Sequence, residues 1–117
     1  MDITHLHLNT RDRARSEAFY RDWFGLAVEK TGDTITFMKG ERDFLLALMD
    51  DAEPAPPPPW FHFGMRMDSP DAVRAKHDAL AAGGVPITRA MKNEPAITSF
   101  RCADPNGYSI EIYWLPD

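Results

Sequence analysis

A spacing of 57 residues occurs twice along the chain. It separates His5 from His62 (5 to 62) and the helix start at Asp12 from the helix start at Ser69 (12 to 69). Around each of those points the same succession of patterns is legible: strand, helix, three strands. A unit that recurs only twice points to a duplicated module rather than a solenoid, which needs three or more copies. The expectation is an α+β chain of two tandem βαβββ modules. The first spans 1–50, a proline-rich linker follows over 51–59, and the second module covers 60–117.

Local chemistry supports each element. Ile3 to Asn9 alternates, with Leu6 and Leu8 on one face and His5, His7 and Asn9 on the other, the period-two signature of a half-buried strand. Asp12 to Phe24 reads as a helix whose apolar face carries Phe19, Tyr20, Trp23 and Phe24, stopped by Gly25. Strand-like pieces follow at Leu26 to Lys30, Thr34 to Met38 and Phe44 to Met49. The segment DDAEPAPPPP, residues 50–59, can continue neither a helix nor a central strand. Trp60 to Met67 then alternates again, with His62, Gly64 and Arg66 sharing a face. Ser69, Pro70 and Asp71 give N-cap, first helical position and favourable dipole charge for a helix to Ala82. Further strands are expected near Val85 to Met91, Ala96 to Cys102 and Tyr108 to Leu115.

Bulk properties narrow the function classes. The 117 residues suit a single shared core. A net charge of −5 with scattered Lys and Arg argues against a nucleic-acid partner or an anionic membrane surface, both of which call for a basic stripe. No apolar run reaches the roughly 20 residues of a membrane helix, and the opening MDITHLHLNT has no signal-peptide pattern. The single Cys102 has no internal disulfide partner, so a reducing, cytoplasmic setting is expected, with the thiol packed inside. There is no G-x-S-x-G elbow, phosphate-cradling glycine loop or CxxC pair.

Glu111 stands out because it sits mid-strand between Ile110 and Ile112, and a carboxylate drawn into a sheet needs a partner. His5 and His62 also lie mid-strand, at repeat-equivalent positions. Two imidazoles and one carboxylate form a ligand set that leaves coordination positions open, and an open position lets a substrate bind and be polarised. Spacing alone does not bring Glu111 to the histidines.

These residues resemble the vicinal oxygen chelate superfamily, the glyoxalase, bleomycin-resistance and extradiol-dioxygenase group. The resemblance spans nearly the whole chain. It rests on His5-Leu6-His7-Leu8; on Asp12, Ser16, Phe19, Tyr20 and Gly25; on His62-Phe63-Gly64-Met65; and most specifically on the Asp104-Pro105-Asn106-Gly107 turn feeding Tyr108 to Glu111. It implies curved sheets around a metal cavity and one divalent metal ion (Fe, Mn, Ni, Co or Zn) held by His5, His62 and Glu111. It also implies a small-molecule substrate that chelates through neighbouring oxygens, and a homodimer. The activity implied is dioxygenase-like or lyase/isomerase-like. His7 and Tyr113 are the candidate catalytic groups, and Asn9 and Arg66 the candidate substrate contacts, because each shares a ligand face. Glyoxalase I in this family takes a fourth ligand from the first module; here alignment puts Ala47 opposite Glu111, unless a register slip substitutes Asp50. Lys92 to Glu94 and Arg101 make only a weak basic cluster, which ranks phosphonate chemistry lower. The rival reading is a metal-free drug-binding protein of the bleomycin-resistance kind.

Overall fold

The computed structural model describes residues 1–117. It contains two compact units, Met1–Pro56 and Pro57–Asp117, each a helix on a four-stranded sheet. The boundary falls inside the proline run, and residues 51–61 hold neither helix nor strand.

The first unit comprises β1 (His5–Thr10), α1 (Arg13–Phe24), β2 (Ala27–Thr31), β3 (Ile35–Lys39) and β4 (Leu45–Asp50). The sheet order is β1-β4-β3-β2, with β1 parallel to β4 and β3 antiparallel to both β4 and β2. Asp12 caps α1 by accepting from the Arg15 amide at 3.1 Å. Gly25 ends it in the left-handed region at φ 70, where a side chain would be strained. The helix packs on β3 and β4. Tyr20, Leu8, Leu26, Met38, Leu46 and Leu48 form the core, and a buried hydroxyl pair, Thr10 and Ser16 at 2.7 Å, ties β1 to α1. The helix face is narrower than its aromatic pattern predicts. Only Tyr20 and Ser16 are buried on α1, whereas Phe19, Trp23 and Phe24 stay half-buried. A helix lying on one sheet presents a single stripe to it, and four aromatics exceed that stripe.

The second unit repeats the plan with β5 (His62–Arg66), α2 (Pro70–Ala82), β6 (Ile87–Glu94), β7 (Ile97–Ala103) and β8 (Ser109–Trp114). Its order is β5-β8-β7-β6, with β5 parallel to β8 and β7 antiparallel to its neighbours. Ser69 accepts from the Ala72 amide at 3.1 Å, and Pro70 occupies the first helical position. The core is Val73, Leu80, Phe100, Cys102, Ile110 and Ile112. Burial pushes the Cys102 thiol up to about 12, helped by the nearby Asp104 carboxylate. Trp60 and Phe61 fall outside β5, because the Phe61 amide closes a turn on the Pro58 carbonyl at 2.9 Å.

The two units share a ladder register as well as an element order. His5 pairs with Leu45 and His7 with Ala47; His62 pairs with Ser109 and Gly64 with Glu111. The shift between modules is therefore 57 on the first strand (5 to 62) and 64 on the fourth (45 to 109). Ala47 is the counterpart of Glu111, so no slip brings Asp50 to that position.

Candidate functional site

The second unit gathers the charged residues. His62 lies on β5 and Glu111 on the adjacent β8, one pleat apart and on the same face, because Glu111 pairs with Gly64 two residues beyond His62. The His62 Nε2 and Glu111 Oε2 atoms are 3.3 Å apart, with side-chain exposures of 36% and 21%. The opposite face of β8 supplies core, with Ile110 and Ile112 fully buried.

Three contacts hold the imidazole. His62 Nδ1 lies 3.1 Å from the Trp60 carbonyl, which only accepts, so Nδ1 carries a proton. His62 Nε2 stands between a donor, Arg101 Nη2 at 3.2 Å, and an acceptor, Glu111 Oε2 at 3.3 Å. The Arg101 guanidinium stabilises the arrangement: Nη2 also stands 3.6 Å from Glu111 Oε2, and the side chain is only 15% exposed. Arg101 is placed by β7, directly across from Glu111 in the ladder.

Beside this cluster is an open cavity of about 300 Å³ lined by His62, Phe63, Gly64, Ile97, Glu111, Tyr113 and Leu115. Gly64 is required there: a Cβ on it would stand 2.8 Å from Tyr113 Cε1, inside van der Waals contact, so glycine lets the phenol ring lie over the strand. One polar end and an apolar wall suit a small organic molecule with an oxygen-bearing head.

Of the residues expected from sequence, His62, Glu111 and Tyr113 meet around this cavity. Arg66 does not line it; its guanidinium donates to the Leu115 carbonyl at 3.0 Å and to Asp117 at 3.3 Å. His5, His7 and Asn9 belong to β1 of the first unit. There His7 Nε2 bonds Asn9 Oδ1 at 2.7 Å, and Asn9 Nδ2 donates to Asp51 at 3.1 Å. Within neither unit do three or more His, Cys, Asp or Glu side chains gather into a group able to hold a metal. Arg101 is the residue that sequence reading undervalued. The signal lay in the Asp104-Pro105-Asn106-Gly107 turn: folding the chain symmetrically about Asn106 sets residue 101 against 111.

The spacing of the pair matches what a divalent cation requires. Donors about 2.1 Å from one metal, at ordinary angles of about 90–110°, lie about 3.0–3.4 Å apart. The observed separation of 3.3 Å meets that, and the Nδ1–H is pinned to a carbonyl, the outer contact typical of ligating histidines. A cation suits this pair, and Arg101 supplies one.

Comparison with known proteins agrees with the fold. The profile of the Glyoxalase/Bleomycin resistance protein/Dioxygenase superfamily matches residues 2–112. The chain belongs to this superfamily. Among solved structures, a possible glyoxalase from Bacillus cereus is 28% identical with a TM-score of 0.84, covering 96% of this chain and 97% of its own. Lactoylglutathione lyase from Agrobacterium tumefaciens is 26% identical at TM-score 0.78, covering 97% and 92%. A glyoxalase/dioxygenase from Nostoc punctiforme, 20% identical at TM-score 0.82 over 99% and 92%, shares the fold. No curated protein matches the chain. The superfamily match takes in both modules. No helix is long and apolar enough to cross a membrane.

Proposed function

We propose that this superfamily member is a metal-dependent enzyme acting on a small substrate that chelates the metal through two neighbouring oxygens. The observation that carries the reading is the His62–Glu111 pair, with ligand-like separation and the imidazole held through Nδ1 by the Trp60 carbonyl. His62 and Glu111 would each hold the metal; His5 is proposed as the third ligand from the sequence repeat and the family pattern alone. Bound there, a divalent metal supplies Lewis acidity to a chelating oxygen. The chain's own residues do the rest. Phe63, Ile97 and Leu115 provide the apolar wall that excludes water from one side of the substrate. Tyr113, at the cavity edge, can donate its phenolic proton to a substrate oxygen. His7 is proposed as a further acid–base group.

The fixed register of Ala47 supports three-ligand, dioxygenase-like chemistry over a glyoxalase I-type isomerisation. Alanine has no donor atom, and it occupies the position where a fourth ligand would stand. A specific observation also favours a second reading, a metal-free small-molecule binder: Arg101 already satisfies both donor atoms, and the cavity wall is apolar. The two readings separate on purified protein. Elemental analysis should find a transition metal at close to one per chain, and oxygen uptake should follow addition of a catechol from a substrate panel. Protein that stays metal-free after incubation with Fe(II), Mn(II), Ni(II), Co(II) or Zn(II), yet binds an aromatic ligand, establishes the binder instead. A cytoplasmic homodimer is proposed along with the enzyme, and sedimentation of the native protein tests the dimer.

A further inference from the structure

Arg101 is more than a counter-charge for Glu111. A single nitrogen, Nη2, lies against both donor atoms, 3.2 Å from His62 Nε2 and 3.6 Å from Glu111 Oε2. It therefore occupies the electrostatic position in which a metal would stand relative to that pair. The side chain holds this place at a cost. Its Nε is buried without a hydrogen-bond partner, and a buried donor left unpaired is unfavourable. The strand does not demand an arginine there either. Phe37 pairs with Ala47 in the first unit as Arg101 pairs with Glu111 in the second, and Phe37 serves the same sheet position without charge.

We infer that Arg101 is a built-in competitor for the metal position. The guanidinium and a divalent cation exclude each other at His62 Nε2 and Glu111 Oε2, so Arg101 sets how tightly the site holds metal. The inference rests on the metal-site reading above. Two cations cannot share donors this close without strong repulsion. Metal entry must then release Arg101 from both atoms, and metal loss lets it return. Its role is that of a positioning residue whose effect falls on metal affinity.

The test is calorimetric titration of metal-free protein with Mn(II) and with Zn(II) alone. Arg101→Met keeps the apolar stem and removes the charge. Arg101→Gln, which keeps a donor, serves as a second variant in case Met at this position impairs folding, and thermal unfolding checks both. The expected result is affinity tighter than the original chain by roughly ten- to a hundredfold, the range over which neighbours of metal ligands act. Arg101→Lys, which retains the charge on a compact head, should fall between. Tight binding by the variants with none detectable in the original chain supports the inference in its strongest form. Equal or weaker binding by both neutral variants, with metal still bound by the original chain, overturns the competition and leaves the metal site standing. No binding by any of them overturns both.

Discussion

The two modules use one backbone plan for different ends. At equivalent ladder positions the first carries His5, His7, Phe37 and Ala47, and the second carries His62, Gly64, Arg101 and Glu111. At the cross-strand pair of the third and fourth strands the first module is apolar, with Phe37 and Ala47, and the second is charged, with Arg101 and Glu111. Ala47 is 4% exposed, while the Glu111 carboxylate keeps 21% of its surface and two partners. The comparison teaches that the fold requires neither arrangement. The sheet tolerates a charged cluster where a pair and an open cavity compensate it, and elsewhere fills the same positions with hydrocarbon.

Moving the charge between modules should have the largest effect. Ala47→Glu places a carboxylate at a buried position that faces Phe37 across the ladder instead of a guanidinium, and we expect a loss of roughly 3–5 kcal/mol, the cost of a poorly compensated buried charge. Adding Phe37→Arg copies the second module's cross-strand pair and should recover part of that loss. Denaturant unfolding of the single and double variants measures both; an unchanged midpoint for Ala47→Glu would break the comparison.

A smaller effect is expected at the first-strand position, where the first module has a side chain and the second has none. Gly64→Ala should cost about 1–3 kcal/mol through overpacking against the Tyr113 ring. It should also displace that ring from the cavity edge, visible as a change in tyrosine fluorescence or in ligand affinity. His7→Ala, at the equivalent position, should leave stability nearly untouched because His7 is exposed and bonded only to its neighbour Asn9.

The remaining effect is confined to alkaline pH. The buried position held by Met38 in the first module is held by Cys102 in the second, and only the thiol titrates. Its folded value, about 12, lies above the ordinary 9.0, so folding favours the protonated form. The stabilisation is complete below pH 9, where both states hold the proton, and is lost as pH rises from 9 towards 12. Stability measured across that window should fall for the original chain and fall less for Cys102→Ala; parallel curves would remove the thiol from the account.

Much of this was legible in the residues. Period-two alternation put His62 and Glu111 on polar faces opposite core, and the 57-residue repeat made His5 and His62 equivalent. Caps and glycines gave both helices to within a residue. What alternation does not carry is pairing between strands. A period-two pattern says which face a residue takes, whereas its neighbour across the ladder depends on register and turn geometry. Arg101 was therefore visible as a basic residue but not as the partner of Glu111, although the tight Asp104 to Tyr108 turn fixes that register. The half-buried aromatics of α1 were missed for a related reason: a helical pattern gives the width of an apolar face, not how much of it a single sheet can cover.

Diffraction from crystals grown with Mn(II), with anomalous data collected for that metal, tests the central claim most directly. The account predicts one strong peak within about 2.0–2.3 Å of both His62 Nε2 and Glu111 Oε2, with the Arg101 guanidinium withdrawn from them. Density showing Arg101 still seated against both atoms, and no anomalous peak beside them, would contradict it.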